Sequence, residues 1–497
     1  MGIMRFRFLT AWLLLIGPVL VRPAEGGLGA SSSAFVRAQA GSAVQWHAWN
    51  DATLAEARVA NKCVYVFIGA PLSELTRATI SQTFASEKTV AWLNGNFFCI
   101  LVDADAQPGV AAYAQHFIRS AKQLQGLPVH LWLTPELQPY DGANYLPPSE
   151  EWGKPGFLKA AGGALDNWTG DPARARALAK EALDLMREPP LGAGPKLEVA
   201  AKLNAAATAW IATLDPVNGG FGSAPKEPEP ELIRFLLTRG AAGRAAALNA
   251  ARALVKGAAH DSVDGGFYRR TIDEAWQEPY YQKTLADQAR IALALCDAAD
   301  AGKDETLRAA AIGALDFVLT KLRYPDGTLA AALDGTLDEN SSPARRPAFV
   351  QVGFATSGAQ ALLIVALQRT GEKRLATLAA QLAAKLPELR TAADYAAAAL
   401  AFRSLRDNAK ADRLLARGNK LFFDSVTGKY LATPVQLPSG IALRVPATGD
   451  IPSPATLALL AGADAGTAVL LRRALLAAVE YDEQPSGEVL LGLAAAP

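Results

Sequence analysis

Asp215-Pro216-Val217-Asn218-Gly219-Gly220-Phe221 and Asp261-Ser262-Val263-Asp264-Gly265-Gly266-Phe267 are two copies of one loop. Each sets a turn-forming Asp, a glycine pair and a large apolar residue between Ala- and Leu-rich segments of helical periodicity. Glycine supplies the positive φ such a turn needs, and the aromatic returns the chain to the core. Pro325-Asp326-Gly327-Thr328-Leu329 is a weaker third copy, and Asp424-Ser425-Val426-Thr427-Gly428-Lys429-Tyr430 a fourth. A unit recurring every 45–100 residues or so argues for helical hairpins. From about residue 195 β-type runs are scarce, and roughly ten to twelve helices are expected. Hairpins closed into a ring form an (α/α)6 toroid, with inner helices around a funnel and loops on its rim.

Ahead of this helical region the pattern differs. Trp49–Ala60 reads as a helix, Cys63–Ile68 and Phe97–Val102 as buried strands, and Val129–Leu133 as a third strand led in by Gly126-Leu127-Pro128. A more polar segment, 71–95, is loosely helical. Strand, helix, strand, helix and a proline-led strand is the order of a thioredoxin-like α/β unit. The expected fold is therefore multidomain: a thioredoxin-like domain over 43–170, a connecting helix and linker over 171–194, and the toroid over 195–497.

Residues 1–30 read as a targeting segment. Arg5 and Arg7 precede the 14-residue apolar run Phe8–Val21, which is short for a membrane span of about 20 residues and suits a secretory signal, with an uncleaved anchor as the alternative. The body of the chain is then expected outside the cytoplasm. Composition is globular, at 51% hydrophobic and 20% charged. Lys plus Arg is 49 against 48 Asp plus Glu, without the basic surplus that tracking phosphates requires, so nucleic acid is not an expected partner. Three cysteines, none in a Cys-x-x-Cys pair or a Cys/His cluster, exclude a disulfide scaffold and a structural zinc site, and no metal or cofactor is expected. Cys63, Cys99 and Cys296 lie in apolar runs and read as core residues.

Several blocks together resemble the spermatogenesis-associated, thioredoxin-domain family, whose members fuse a thioredoxin-like domain to a helical toroid. Val44-Gln45-Trp46-His47-Ala48-Trp49 is similar to its opening V-D-W-x-x-W. Val102-Asp103 with Pro108, then Gly126-Leu127-Pro128, Leu133-Thr134-Pro135, Gly142 and Tyr145, are similar to its V-D-x-x-x-x-P and G-W-P…L-T-P…G-x-x-Y stretches. Gly219–Lys226 resembles G-G-F-G-x-A-P-K. Gly265-Gly266-Phe267 with Arg269, Asp273, Trp276, Pro279, Lys283 and Asp287 resembles the segment that follows, and Asp450 with Pro452-Ser453 a late D-x-P-S-G-N block. The resemblance implies a cis peptide at Pro128 facing a redox site.

That site is altered. The family's Cys-His-Trp-Cys falls on Ser73-Glu74-Leu75-Thr76. Thiol–disulfide exchange needs an attacking thiolate and a resolving thiol, and a hydroxyl supplies neither. Polar positions erode in the toroid too: Tyr280, Gln282 and Ala455 stand where the family has His, Glu and Asn. One histidine, His260, remains in the toroid and reads as a solvated loop residue.

The remaining candidates crowd the expected rim. Lys283 and Asp287 are expected as an i,i+4 pair on one helix face. Asp264, Asp273, Asp334 and Asp338 are expected in loops after helices, as rim carboxylates or turn caps, and 343–347 as an exposed loop. Trp276, Tyr268, Tyr280 and Tyr281 suit either sugar stacking or loop packing. A carbohydrate-active enzyme would use Asp273, Asp287 or Asp334 as acid and base, with the carboxyls about 5–10 Å apart. Lys226, Tyr268, Arg269, Trp276, Tyr281, Gln282 and Lys283 would bind ligand. The reading preferred over it is a non-redox protein that binds a carbohydrate or a protein partner.

Overall fold

Val64–Gly69 (β2), Phe98–Asp103 (β3) and Val129–Leu133 (β4) are buried at every residue, and they form the middle of a five-stranded sheet. Trp46–Ala48 (β1) and Pro139–Ala143 (β5) complete it in the order β1-β3-β2-β4-β5. β1, β3 and β2 run parallel, and β4 and β5 antiparallel. The computed structural model describes residues 27–60, 62–192, 198–336, 346–437, 439–447, 453–478 and 484–495. Most of the expected targeting segment, Asp338, Arg345, Asp450 and Pro452 lie outside the described residues.

Alternate side chains of a strand point to opposite faces. Val64, Val66 and Ile68 meet Asp51–Ala60 (α2) and Pro108–Lys122 (α5) on one face. Tyr65 and Phe67 meet Ala34–Ala38 (α1), Glu87–Asn96 (α4) and Phe157–Gly170 (α6) on the other. Between the layers, Glu74–Ala78 (α3) follows β2. Pro172–Leu185 (α7), expected as a connection, is instead part of this domain: Ala175 and Ala179 pack into one core layer, Ala182 and Met186 into the other. Its Ala-rich stripe at helical spacing is what covers the sheet edge.

Twelve helices follow among the described residues: Val199–Ala212 (α8), Pro230–Leu237 (α9), Gly240–Lys256 (α10), Leu285–Gly302 (α11), Glu305–Lys321 (α12), Ser357–Arg369 (α13), Lys373–Ala384 (α14), Ala392–Ser404 (α15), Asn408–Phe422 (α16), Pro454–Leu460 (α17), Ala465–Ala478 (α18) and Gly487–Ala494 (α19). Each odd-numbered helix packs on the next, and α19 packs back on α9, closing a ring of six. The even-numbered helices lie outside it. Inner helices are buried nearly all round, as α15 shows with Ala396–Ala399 and Ala401 at or near zero exposure, and alanine permits that close approach. The recurrent glycine loops all follow outer helices, so they gather at the inner-helix N-termini and form the mouth. This is the expected toroid, with one addition. Gln282–Thr284 (β6), Ala330–Asp334 (β7) and Val350–Phe354 (β8) make a small antiparallel sheet on the rim. The segment after α16 also leaves the ring and places Ile441 and Val445 in the core of the first domain.

Candidate functional site

Ser73–Thr76 form a capped turn at the start of a helix. Ser73 caps α3, its Oγ accepting the Thr76 N–H at 3.2 Å and donating to the Leu127 carbonyl at 3.4 Å. The Leu127–Pro128 bond is cis, as the resemblance implied. Thr76 is wholly buried and sits where the backbone of Gly69 leaves room for it. Leu75 is exposed on the other side of the turn. The three cysteines are free and buried, and burial pushes the Cys63 and Cys99 thiols up to about 12 and Cys296 to about 11. None is a thiolate near neutrality.

The helix that would carry the redox pair instead docks on the toroid. Arg77 Nη1 lies 3.4 Å from Asp334 Oδ2, and Nη2 donates to Thr336 Oγ1 at 2.9 Å. Asp334 has no exposure and also accepts from Gln282 Nε2 at 3.2 Å and from the Thr336 N–H at 2.8 Å. Arg269 Nη1 donates to Gln282 Oε1 at 3.2 Å. Asp334 is thus not a loop carboxylate on the rim. It ends β7 and is consumed by a latch between domains, which draws in Gln282 and Arg269 as well.

The two glycine loops fold alike, and a buried lysine closes each. Asp215 Oδ1 accepts the Val217 and Asn218 N–H groups, while Lys226 Nζ donates to Asp215 Oδ2 at 2.6 Å and to the Gly219 and Glu274 carbonyls at 2.9 and 2.8 Å. In the second loop Asp261 Oδ1 accepts from Val263, while Lys283 Nζ donates to Asp261 Oδ2 at 2.5 Å and to the Gly265 carbonyl at 2.7 Å. Both lysines have zero exposure. Burial pushes the Asp261 carboxyl up, but the Lys283 hydrogen bond, the Val263 N–H and the Lys283 and Arg346 charges outweigh it and bring it to about 2. Burial likewise lowers the Lys283 ammonium, against the pull of Asp261. The expected Lys283–Asp287 pair does not form, because the helix begins only at Leu285 and Lys283 belongs to β6, turned the other way.

Trp276 is buried, donates Nε1–H to the Gly219 carbonyl at 3.1 Å, and lies against Gly220, where an added Cβ would come 2.8 Å from its ring. Tyr268 is buried with its hydroxyl on Asp261 Oδ2 at 3.1 Å. Tyr281 packs edge-on against it at 5.6 Å between ring centroids. Tyr280 lies under the Arg270 guanidinium, 4.9 Å from it. The first three pack the loops rather than offering a face to a sugar. Asp273 accepts backbone N–H groups from Ala275, Gln277 and Glu278 as a turn cap, and these offset its partial burial to hold its carboxyl below the usual range. Asp287 is half-buried and receives Thr284 Oγ1–H at 2.7 Å and Arg290 Nη1–H at 3.1 Å. His260, expected as a solvated residue, is half-buried and stacked on Phe267 at 4.6 Å.

Sequence reasoning passed over three groups. Arg346, expected in an exposed loop, bridges Asp261 and Asp264, with Nη2 2.5 Å from a carboxylate oxygen of each. Glu227 and Glu229, alternating with prolines ahead of α9, sit at the mouth beside Arg270 and Arg290. Burial raises both carboxyls, and the neighbouring Glu231 and Glu227 charges raise Glu229 further. The alternation Lys226-Glu227-Pro228-Glu229-Pro230-Glu231 was visible as a signal. Asp105 was also missed. It follows β3 and is exposed to an interdomain space, where the surrounding protein and the Asp103 charge raise its carboxyl.

That space is a cavity of about 1010 Å³ between the first domain and the toroid mouth. Ser33, Asp105 and Gln115 come from one side, and Gln360, Arg390 and Asp394 from the N-terminal ends of α13 and α15 on the other. Asp394 is fully engaged, with Oδ1 accepting Gly358 N–H at 2.6 Å and Oδ2 the Arg390 and Thr391 N–H groups. No group of three or more His, Cys, Asp or Glu among the described residues could hold a metal ion.

A thioredoxin-like domain seated over the mouth of an (α/α)6 toroid defines the class of protein. Residues 26–187 match the family described as Thioredox_DsbH, protein of unknown function, DUF255. Spermatogenesis-associated protein 20 of Rattus norvegicus is 27% identical over 304 residues, which is 59% of this chain and 38% of the rat protein. Its Mus musculus counterpart is 28% identical over the same shares. The chain therefore spans under two fifths of the length of these relatives. It is similar to these relatives across both domains, and it lacks a Cys-x-x-Cys motif. Among solved structures, a sugar epimerase from a ruminal bacterium is similar at a TM-score of 0.44 and 13% identity, over 59% of this chain and 96% of that one. Cellobiose 2-epimerase from Bacillus thermoamylovorans B4167 is similar at 0.45 and 13%, over 59% and 97%. At these scores the toroid rests on its own helix packing.

Proposed function

We propose that this protein binds a small molecule in the interdomain cavity, without thiol redox chemistry, and does so outside the cytoplasm. The observation that carries the reading is the cavity itself: about 1010 Å³, walled by both domains, with polar side chains converging from each. A concave space of that kind at a domain interface is the usual seat of a ligand. The altered motif supports a non-redox role, since Ser73 and Thr76 form the turn, with Ser73 bonded to the Leu127 carbonyl, while lacking sulfur. The exported location rests on the sequence of residues 1–30 and is checked by fractionating cells that express the full chain. Thermal-shift screening against sugars, oligosaccharides and small polar metabolites tests the binding. A ligand selective for the folded state raises the melting temperature, and the shift should vanish in Ala112→Trp, which fills the cavity, and weaken in Asp105→Asn. Shifts that survive both substitutions would remove the cavity from consideration.

A second reading, acid–base chemistry on a sugar, has one observation in its favour: Glu227 and Glu229 lie together at the mouth with raised carboxyls. The three aspartates first expected in that role are engaged as caps, ion pairs or the latch. Turnover of a glycoside or an epimerisable sugar, lost in Glu229→Gln, would establish it.

A further inference from the structure

The interdomain cavity has a smaller neighbour inside the toroid. Leu362 and Leu457 line the interdomain cavity and also line a second cavity of about 170 Å³ between the inner helices. The two spaces are thus neighbours across these side chains, a wide mouth with polar groups on its walls and a narrow throat. Leu293, Leu362, Val365, Leu400, Leu457 and Leu460 wall the throat, and no aromatic ring is among its lining residues.

Three charged residues also reach it, and each is held in an ion pair. Arg290 gives Nε–H and one Nη2–H to Glu231 at 2.8 and 2.5 Å, and Nη1–H to Asp287 at 3.1 Å. Arg234 turns its Nε–H to Asp297 Oδ2 at 2.8 Å. Such side chains present their methylene stems to the space while their heads are held elsewhere. A sugar hydroxyl placed in the throat would give up water for a wall of aliphatic carbon, at a cost that burying unpaired polar groups always carries. An alkyl chain meets no such penalty. A dry apolar cavity of about 150 Å³ accommodates a benzene-sized group, so this throat suits about six carbons.

We infer that the ligand of this site is amphipathic, with a polar head in the interdomain cavity and an unbranched aliphatic tail of about six carbons in the throat. The inference rests on the reading of the interdomain cavity as a ligand site.

The test is calorimetric titration of the full chain with two homologous series, n-alkyl glucosides from methyl to octyl and n-alkanols from propanol to octanol. Affinity should rise about threefold to fourfold per methylene, from the free energy of burying one CH₂, and level off near six carbons. Leu400→Trp, which fills the throat, should flatten the series. Should that variant fail to fold, Val365→Leu adds one methylene to the wall and should move the levelling point to a shorter chain. Equal binding of methyl and hexyl glucosides would overturn the tail while leaving the cavity a ligand site. So would an unchanged series in a folded Leu400→Trp or Val365→Leu protein. Silence from both series, beside a polar metabolite that does bind and is blocked by Ala112→Trp, would also sink the tail alone. Silence from every compound would sink both readings.

Discussion

The first domain and the toroid each carry a stretch that resembles a family motif, and the two differ in what those residues do. In the first domain the stretch is a capped turn without sulfur: Ser73 caps α3 near cis-Pro128, and neither Ser73 nor Thr76 carries a thiol. In the toroid His, Glu and Asn positions are replaced, but two lysines of the motifs remain, and they are structural. Lys226 and Lys283 are buried staples that each bind an Asp and a glycine carbonyl. Persistence of a motif is thus no measure of reactivity. A buried lysine with its protons spent on loop carbonyls holds a turn, and has nothing left to offer a ligand.

The comparison breaks most visibly at the staples. Lys283→Met leaves Asp261, whose side chain is only 3% exposed, with Arg346 as its remaining cationic partner, and should cost about 3 kcal/mol in chemical denaturation, the low end for a broken buried pair. Lys226→Met should cost less, about 2 kcal/mol, because Asp215 at 13% exposure recovers some water. Equal costs would mean that solvent access to the aspartate does not set the difference between the loops.

Acid should strain the first domain more than neutral pH does. His130 is buried in its core with Nδ1 2.6 Å from the Tyr65 hydroxyl, and burial lowers its pKa to about 3. Between pH 6.5 and about 3 the unfolded chain takes up this proton and the folded chain does not, so stability falls as pH drops through that window. Urea midpoints should show the slope, and His130→Gln should flatten it.

Arg77→Met probes the join between the two domains. It leaves Asp334 buried with only neutral partners and should cost about 1–3 kcal/mol. Ile441 and Val445 still tie the toroid to the first core, so calorimetry should show a lowered transition rather than two separate ones. The smallest change in stability is expected from Ser73→Cys with Thr76→Cys. It should give a dithiol that oxidises and reduces reversibly in a thiol titration, since the capped turn already has the required form. A pair that stays reduced under oxidant would show that the geometry has drifted along with the chemistry.

Much of the architecture was legible in the chain. Continuous apolar runs mark the buried strands, and the Asp-to-aromatic loops mark the hairpins, because backbone turns and strand burial are written in neighbouring residues. Two local readings failed for one shared reason. Pro172–Leu185 looks like a connection, and Lys283 with Asp287 looks like a helical pair, until packing shows what each faces. The acidic run ahead of α9 and the isolated Asp105 carried little weight by themselves, since charge in a loop is usually solvated.

The sequence by itself determined the two domains, the loss of both sulfurs and the hairpin repeat, all properties of local pattern and composition. Only the tertiary structure decided which side chains are free. Whether Asp334 is a rim acid or half of a latch depends on Arg77, 257 positions away in the chain. Which side chains wall the throat depends on six helices meeting around one axis. Electrostatic pairing and burial are set by distance in space, and separation along the chain does not encode them.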